Sequence, residues 1–271
     1  MLLDMHAHTT ASDGTYKPDE ILQLANEKRL VYFSITDHDT LDGVKKVQET
    51  PPGMTFIPGL EISAEYPSTL HILGYGIDPF NAELNERLEE LQDFRKNRNT
   101  RMLTKMKQFG FHVTMDELID EAGSELVGRP HFANIMLRKG YVDTYQDAFD
   151  KYLKKGAPLY LNKKRLDPAL SIDLIHWAGG IAVMAHPYQT KLEGEELEAL
   201  VKKLVSYGLD GIEVYYSKHT PEMVTHYQHL SEKYNLLRTA GSDFHGSNKP
   251  DIELGMDIRD QTIIKTLEKI T

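Results

Sequence analysis

Histidines and carboxylates recur in short clusters along this chain, and most clusters fall where an apolar run ends. The first is Asp4-Met5-His6-Ala7-His8, with Asp13 close behind. Asp37-His38-Asp39, Glu61, His71, Ala185-His186-Pro187 and Asp243-Phe244-His245 follow. Residues two apart on a strand share a face, so His6 and His8 can grip one ion together. Asp243 and His245 repeat that spacing. Imidazole mixed with carboxylate suits divalent Mn, Fe, Zn or Co, and without a thiolate nothing favours zinc. Counting His6, His8, Asp13, His38, Glu61, His71, His186, Asp243 and His245 gives nine candidate ligands, enough for three sites with open positions. Their carboxylates would offset half the charge of three divalent ions, leaving a centre of about +3. Such a centre attracts phosphate and acidifies a bridging water, which is the chemistry of hydrolysis.

A lone histidine is more often packed or solvent-facing than a ligand, and the chain has twelve. His112, His176, His219, His226 and His229 read that way, because none follows an apolar strand beside a carboxylate. Asp37-His38-Asp39 alone would pass for a turn or a helix cap, and Asp243 for an ordinary strand-end acid. Their joint occurrence at successive strand ends points to metal, because a barrel gathers ligands from many strands into one mouth.

The positioning elements follow from periodicity. Leu2 to His6, Val31 to Ile35, Thr55 to Ile62 and Leu70 to Tyr75 read as strands, the last two paired. Helices are expected from Pro18 and over Asp42 to Glu49. After Asp78-Pro79 the pattern becomes helical: Glu83 to Phe109 ending at Gly110, then Met115–Glu121, Pro130–Arg138 and Tyr145–Lys154. Alternation resumes with strands at Ile181–Met184, Gly211–Tyr215 and Leu236–Ala240, and helices at Glu195–Ser206 and Pro221–Tyr234. Strands alternating with helices predict a parallel sheet or barrel. The expected organisation is an α/β barrel formed by residues 1–78 and 159–271, with a helical insertion over residues 79–158.

Composition narrows the function. The chain has 271 residues, 40% hydrophobic and 27% charged, with a net charge of −10. That balance disfavours broad capture of duplex DNA or an anionic membrane, so a phosphorylated ligand must be drawn by a local positive site. The chain contains no cysteine, which removes disulfides, thiolate zinc sites and cysteine nucleophiles. With no spanning segment or signal pattern, and with His6 too near the start to survive loss of a leader, the expected location is cytoplasmic.

Together these motifs, His-x-His, Thr-Asp-His-Asp, the strand-end Glu and His, Ala-His-Pro and Ser-Asp-Phe-His, resemble the PHP superfamily of metal-dependent phosphoesterases over the whole chain. The resemblance implies a distorted (β/α)7 barrel with a trinuclear centre at the C-terminal ends of its strands. It further implies that His6, His8, Glu61 and Asp243 hold one ion, and Asp13, His38 and His245 a second. A third would lie on Glu61, His71 and His186, with Glu61 bridging. Asp4, Asp37 and Asp39 match partners that orient the histidines. No ligand position departs from the pattern.

Arg95, Arg98 and Arg101 recur every third residue on the long predicted helix, a spacing that places them on one face. A solvated stripe paired with Glu89, Glu90 and Asp93 is the plain alternative. Against it, the guanidinium fork suits phosphate, and Gly128-Arg129-Pro130-His131 opens another helix where anions bind well. The segment resembles the helical cap of the PHP subfamily that contains 3′,5′-nucleoside bisphosphate phosphatases and an oligoribonucleotide 5′-exonuclease. That resemblance implies substrate-phosphate contacts for Arg98, Arg101, Arg129 and His131, with Arg95 beside them.

The resulting expectation is a phosphohydrolase in which metal-activated hydroxide attacks phosphorus. It would act on nucleoside 3′,5′-bisphosphates, and by extension on 5′-phosphorylated short single-stranded RNA, using two to three divalent ions. Mn is the first choice, with Fe or Zn as alternatives. Histidinol phosphate fits an arginine-lined cap poorly, amide hydrolysis leaves those arginines without a purpose, and a non-catalytic metal-stabilised module does not need a complete ligand set.

Overall fold

In a computed structural model of the chain, which describes residues 1–123 and 127–270, the expected strands form with ends shifted by a residue or two. They are β1 (Leu2–Asp4), β2 (Tyr32–Ile35), β3 (Thr55–Ala64), β4 (Leu70–Tyr75), β5 (Ile181–Met184), β6 (Gly211–Tyr216) and β7 (Leu237–Gly241). An eighth, β8, spans only Met256–Asp257. Two residues carry no alternation to read, and this strand was not expected. The strands lie in one sheet ordered β7-β6-β5-β4-β3-β2-β1-β8. Past the end of β1 the chain closes the sheet nearly into a barrel against β7 and its continuation: Met5 N–H donates to the Ala240 carbonyl (3.0 Å) and His8 N–H to that of Phe244 (2.9 Å).

The sheet is mixed rather than parallel throughout. β4 runs antiparallel to both β3 and β5, and β8 is antiparallel to β1. The cause is local: β3 and β4 are joined by a short connection with no room for a crossover helix, so the strand must reverse. Alternation then sorts one face of this pair. Ile57 and Glu61 on β3, and His71, Leu73 and Tyr75 on β4, share a side, apolar toward one end and ionisable toward the other. Leu3, Met5, Ile57, Leu73, Tyr75 and Val183 cluster at the apolar end with Ile263 and Leu267 of a C-terminal helix. The polar end remains for chemistry.

Helices flank the strands. α1 (Pro18–Glu27) starts with proline at a position needing no N–H, and buries Pro18, Ile21, Leu22 and Ala25 at helical spacing. α2 (Asp42–Lys45) is one short turn, and α3 (Ala82–Gln108) is the long charged helix, with Gly110 just beyond it at φ 76°. α4 (Met115–Ala122), α5 (Arg129–Arg138) and α6 (Tyr145–Ala148) follow, the last widening into a π-helical turn over Phe149–Leu153. α7 (Pro168–Trp177) was not expected, although its signal is present: Asp167 accepts from Ala169 N–H (2.9 Å) ahead of a proline start. α8 (Gly194–Ser206) and α9 (Pro221–Lys233) match expectation, and α10 (Thr262–Ile270) is a further addition.

The chain divides into two compact units, Met1–Leu88 with Arg165–Thr271, and Glu89–Lys164. The second has its own core of Met102, Met106, Leu118, Phe132, Ile135 and Met136. Its described residues contain no strand. No described helix is long and apolar enough to cross a membrane.

Candidate metal centre

All nine candidate ligands meet at the polar end of the barrel. Their donor atoms fall into overlapping groups: His8, Asp13, His38 and His245; His6, His8 and Asp243; His6, Glu61 and His186; His38, Glu61 and His71. Within each group the atoms lie within 4.8 Å of one another. The backbone makes this possible by running the two paired motifs side by side. Asp243 N–H donates to the His6 carbonyl (2.8 Å), which sets His6-Ala7-His8 against Asp243-Phe244-His245. Glu61 lies near the end of β3, which runs parallel to β2. His71 arrives because β4 is reversed, so a residue near its start lies where the parallel strands finish.

Holding these groups together costs backbone strain. Asp39, His186 and Asp243 have φ of 52°, 22° and 61°, each of order 1–3 kcal/mol for a side-chain-bearing residue. Buried carboxylates brace the loops against it. Asp4 accepts from Ser242 Oγ (2.5 Å) and the N–H groups of His6, Ser242 and Gly255. Asp37 accepts from Thr9 and Ser12, and Asp39 from the N–H and Oγ of Ser63. By these bonds they grip the backbone and hydroxyls that carry the ligands.

The residues present fit a metal. His6 Nε2 and His8 Nε2 are buried with no hydrogen-bond partner, which is costly for polar atoms unless something else binds them. His6 Nε2 lies 3.5 Å from Glu61 Oε2 and 3.6 Å from Asp243 Oδ1, and His8 Nε2 lies 3.4 and 3.3 Å from the same two oxygens. Four donors set tetrahedrally at about 2.1 Å around one ion stand about 3.4 Å apart. His71 Nδ1 and His186 Nε2 each lie 2.8 Å from Glu61 Oε1, and His245 Nε2 lies 3.2 Å from Asp13 Oδ1.

Electrostatics prepare the same atoms. Burial opposes ionisation of Glu61, yet His38, His71 and His6 hold its carboxyl well below the usual range. Burial, then His245 and His38, push His8 well down, and burial lowers His71 to about 4 against the pull of Glu61. Both rings are therefore neutral and able to coordinate at physiological pH.

One partner escaped the sequence reading. Glu213, fully buried on β6, accepts from His6 Nδ1 (2.9 Å), which turns the Nε2 lone pair toward the other donors. Its second oxygen accepts from His186 N–H (2.7 Å). The signal was a carboxylate inside the apolar run Gly211–Tyr216, where an acid is expensive without a task. Glu213→Gln should weaken metal binding by about 10–100-fold, as removal of such ring partners does elsewhere. Chelator competition on the purified variant reads this directly, and unchanged affinity would remove Glu213 from the centre.

The second unit gathers part of the arginine set. Arg98 is 5% exposed and donates Nε and Nη2 to Asn99 Oδ1 (3.1 and 2.7 Å). Buried Asn99, unnoticed in the sequence, thereby aims the guanidinium and is itself fixed on the Val127 carbonyl (2.9 Å). Burial first, then the charges of Arg95 and Arg129, lower Arg98 to about 9. Arg129 stands over the Tyr160 ring at 5.0 Å. His131 is buried and accepts Gly128 N–H on Nδ1 (3.0 Å), which leaves its proton on Nε2 when neutral. Arg101 is exposed: two steps of three residues rotate a side chain by about 120° from Arg95.

Comparison with known proteins agrees with this chemistry. No family model matches the chain. The chain is 31% identical over 260 residues to the 5′-3′ exoribonuclease Rnm of Salmonella typhimurium, covering 94% of this chain and 88% of that one. It is 28% identical over 257 residues to the 3′,5′-nucleoside bisphosphate phosphatase of Chromobacterium violaceum, covering 93% and 90%. A structure from Bifidobacterium adolescentis, assigned as a metal-dependent phosphoesterase, superposes with a TM-score of 0.84 at 29% identity, covering 98% and 96%. With this ligand set at the end of this barrel, the chain belongs to the PHP superfamily of metal-dependent phosphoesterases and is a metal-dependent phosphohydrolase.

Proposed function

We propose that the protein removes one phosphate from nucleoside 3′,5′-bisphosphates and acts, by extension, on the 5′-phosphorylated ends of short RNA. The relatives named for these two activities support the substrate class. The observation that carries it is the burial of Arg98 beside Arg95 and Arg129. Burying one guanidinium near two partly exposed ones is unfavourable, and a phosphate offsets that cost through charge-assisted bonds. Residues of the second unit thus serve as a helical substrate cap in which Arg95, Arg98 and Arg129 hold a phosphate. His131 Nε2–H adds a donor, and Arg101 contributes from the exposed side of its helix. At the barrel, His6, His8, Asp13, His38, Glu61, His71, His186, Asp243 and His245 hold two to three divalent ions, Mn by preference with Fe or Zn as alternatives. When bound, these ions supply Lewis acidity and an acidified water. A chain without cysteine suits a reducing cytoplasm.

The test is phosphate release from adenosine 3′,5′-bisphosphate with Mn added, identifying the monophosphate that remains. Loss of the 3′-phosphate alone, leaving 5′-AMP, is expected. No release by protein with confirmed metal content would reject the substrate class.

A further inference from the structure

The two oxygens of Asp243 meet different surroundings. Oδ1 stands among donors of the centre, 3.6 Å from His6 Nε2 and 3.3 Å from His8 Nε2. Oδ2 accepts two charged or polar hydrogen bonds instead, from Tyr216 Oη at 2.8 Å and Lys249 Nζ at 2.6 Å. Neither partner is placed by chance. Tyr216 is 3% exposed, its ring lies 5.5 Å from that of His186, and its hydroxyl accepts from Gln189 Nε2 (3.2 Å). That acceptance directs the hydroxyl proton to Asp243. Lys249 follows the short turn Gly246–Asn248, and its N–H donates to the Gly246 carbonyl (3.1 Å), which brings the chain back over the aspartate.

A carboxylate can give an ion one oxygen or two, and which it gives decides how many positions remain open. We propose that Lys249 and Tyr216 are positioning residues that clamp Oδ2, so that Asp243 offers the metal centre Oδ1 alone. The clamp fixes the rotation of the carboxylate, so that Oδ1 stays turned toward His6 and His8. This rests on Asp243 being a metal ligand.

Two readouts test it. In metal-free protein titrated with Mn against an indicator chelator, Lys249→Met and Tyr216→Phe should each bind about 10–100-fold more weakly. Lys249→Arg should recover most of that loss. The sign is diagnostic, because removing a cation from beside a dication, with no effect on geometry, would tighten binding. Tighter or unchanged binding in Lys249→Met therefore overturns the clamp. In crystals soaked with Mn, the wild-type Asp243 should contact the ion through Oδ1 only, and two equally short contacts would overturn it as well. Asp243→Ala separates the two levels. If it binds Mn like wild type, both the ligand reading and the clamp fail. If it binds weakly while Lys249→Met is normal, the clamp alone fails.

Discussion

Glu61→Gln should leave a folded protein whose phosphoester hydrolysis falls by at least about 10³-fold, since a bound ion contributes several kcal/mol of charge stabilisation to the transition state. Glu61 is the hub of the centre. Its Oε2 lies 3.5 Å from His6 Nε2, 3.4 Å from His8 Nε2 and 2.8 Å from His38 Nδ1, while Oε1 lies 2.8 Å from both His71 and His186. Among the described residues, no other side chain lies against so many of the candidate ligands. The amide keeps the volume and one acceptor oxygen, so the barrel need not rearrange. What disappears is the buried negative charge. Elemental analysis should show lost metal alongside lost turnover, with circular dichroism of the metal-free variant like that of the parent. Full activity with full metal content would sink the assignment of Glu61 as bridging ligand.

A single methyl group at Gly241 should do comparable damage from outside the ligand set. A Cβ there would stand 2.2 Å from His6 Cβ, 2.7 Å from His6 N and 3.0 Å from Glu213 Oε1. The first two contacts are with fixed parts of β1's continuation, so β7 and that segment must separate. They can do so only by breaking the bonds that set His6-Ala7-His8 beside Asp243-Phe244-His245. Overpacking of this kind costs about 1–3 kcal/mol or more, or roughly 3–10 °C in melting temperature for a chain of this size. Metal affinity should fall further than stability does, because His6 and its partner Glu213 move together. Gly179→Ala is the control: its φ of 84° strains a side chain, but nothing lies within 4 Å of the new carbon. Gly241→Ala melting and binding metal like wild type would show that the strands separate more easily than this packing allows.

The arginines show where sequence spacing stops being informative. Positions 95, 98 and 101 look equivalent when written out, and every third residue was read as one face. A helix advances 100° per residue, so the row drifts, and packing selects within it. Arg98 is buried with Asn99 fixing its head, while Arg101 is exposed. The same limit hid Glu213 and Lys249. Each acts through a partner far away in sequence, His6 for one, or reached by a turn whose path no periodicity records, as with Asp243 for the other.

Chemistry was legible from residue types. His6-x-His8, Asp243-x-His245 and the acids and histidines between them named a hydrolytic metal centre, because few other uses suit so many ligands at strand ends. The apolar runs likewise named the strands, since burial of alternating side chains is what a strand is selected for. The closure of the sheet between the continuation of β1 and the end of β7, and the turning of each imidazole, were decided by the tertiary structure alone. Those depend on which backbone groups find partners across the barrel, and hydrogen bonds between residues some 200 positions apart leave no local pattern in a chain.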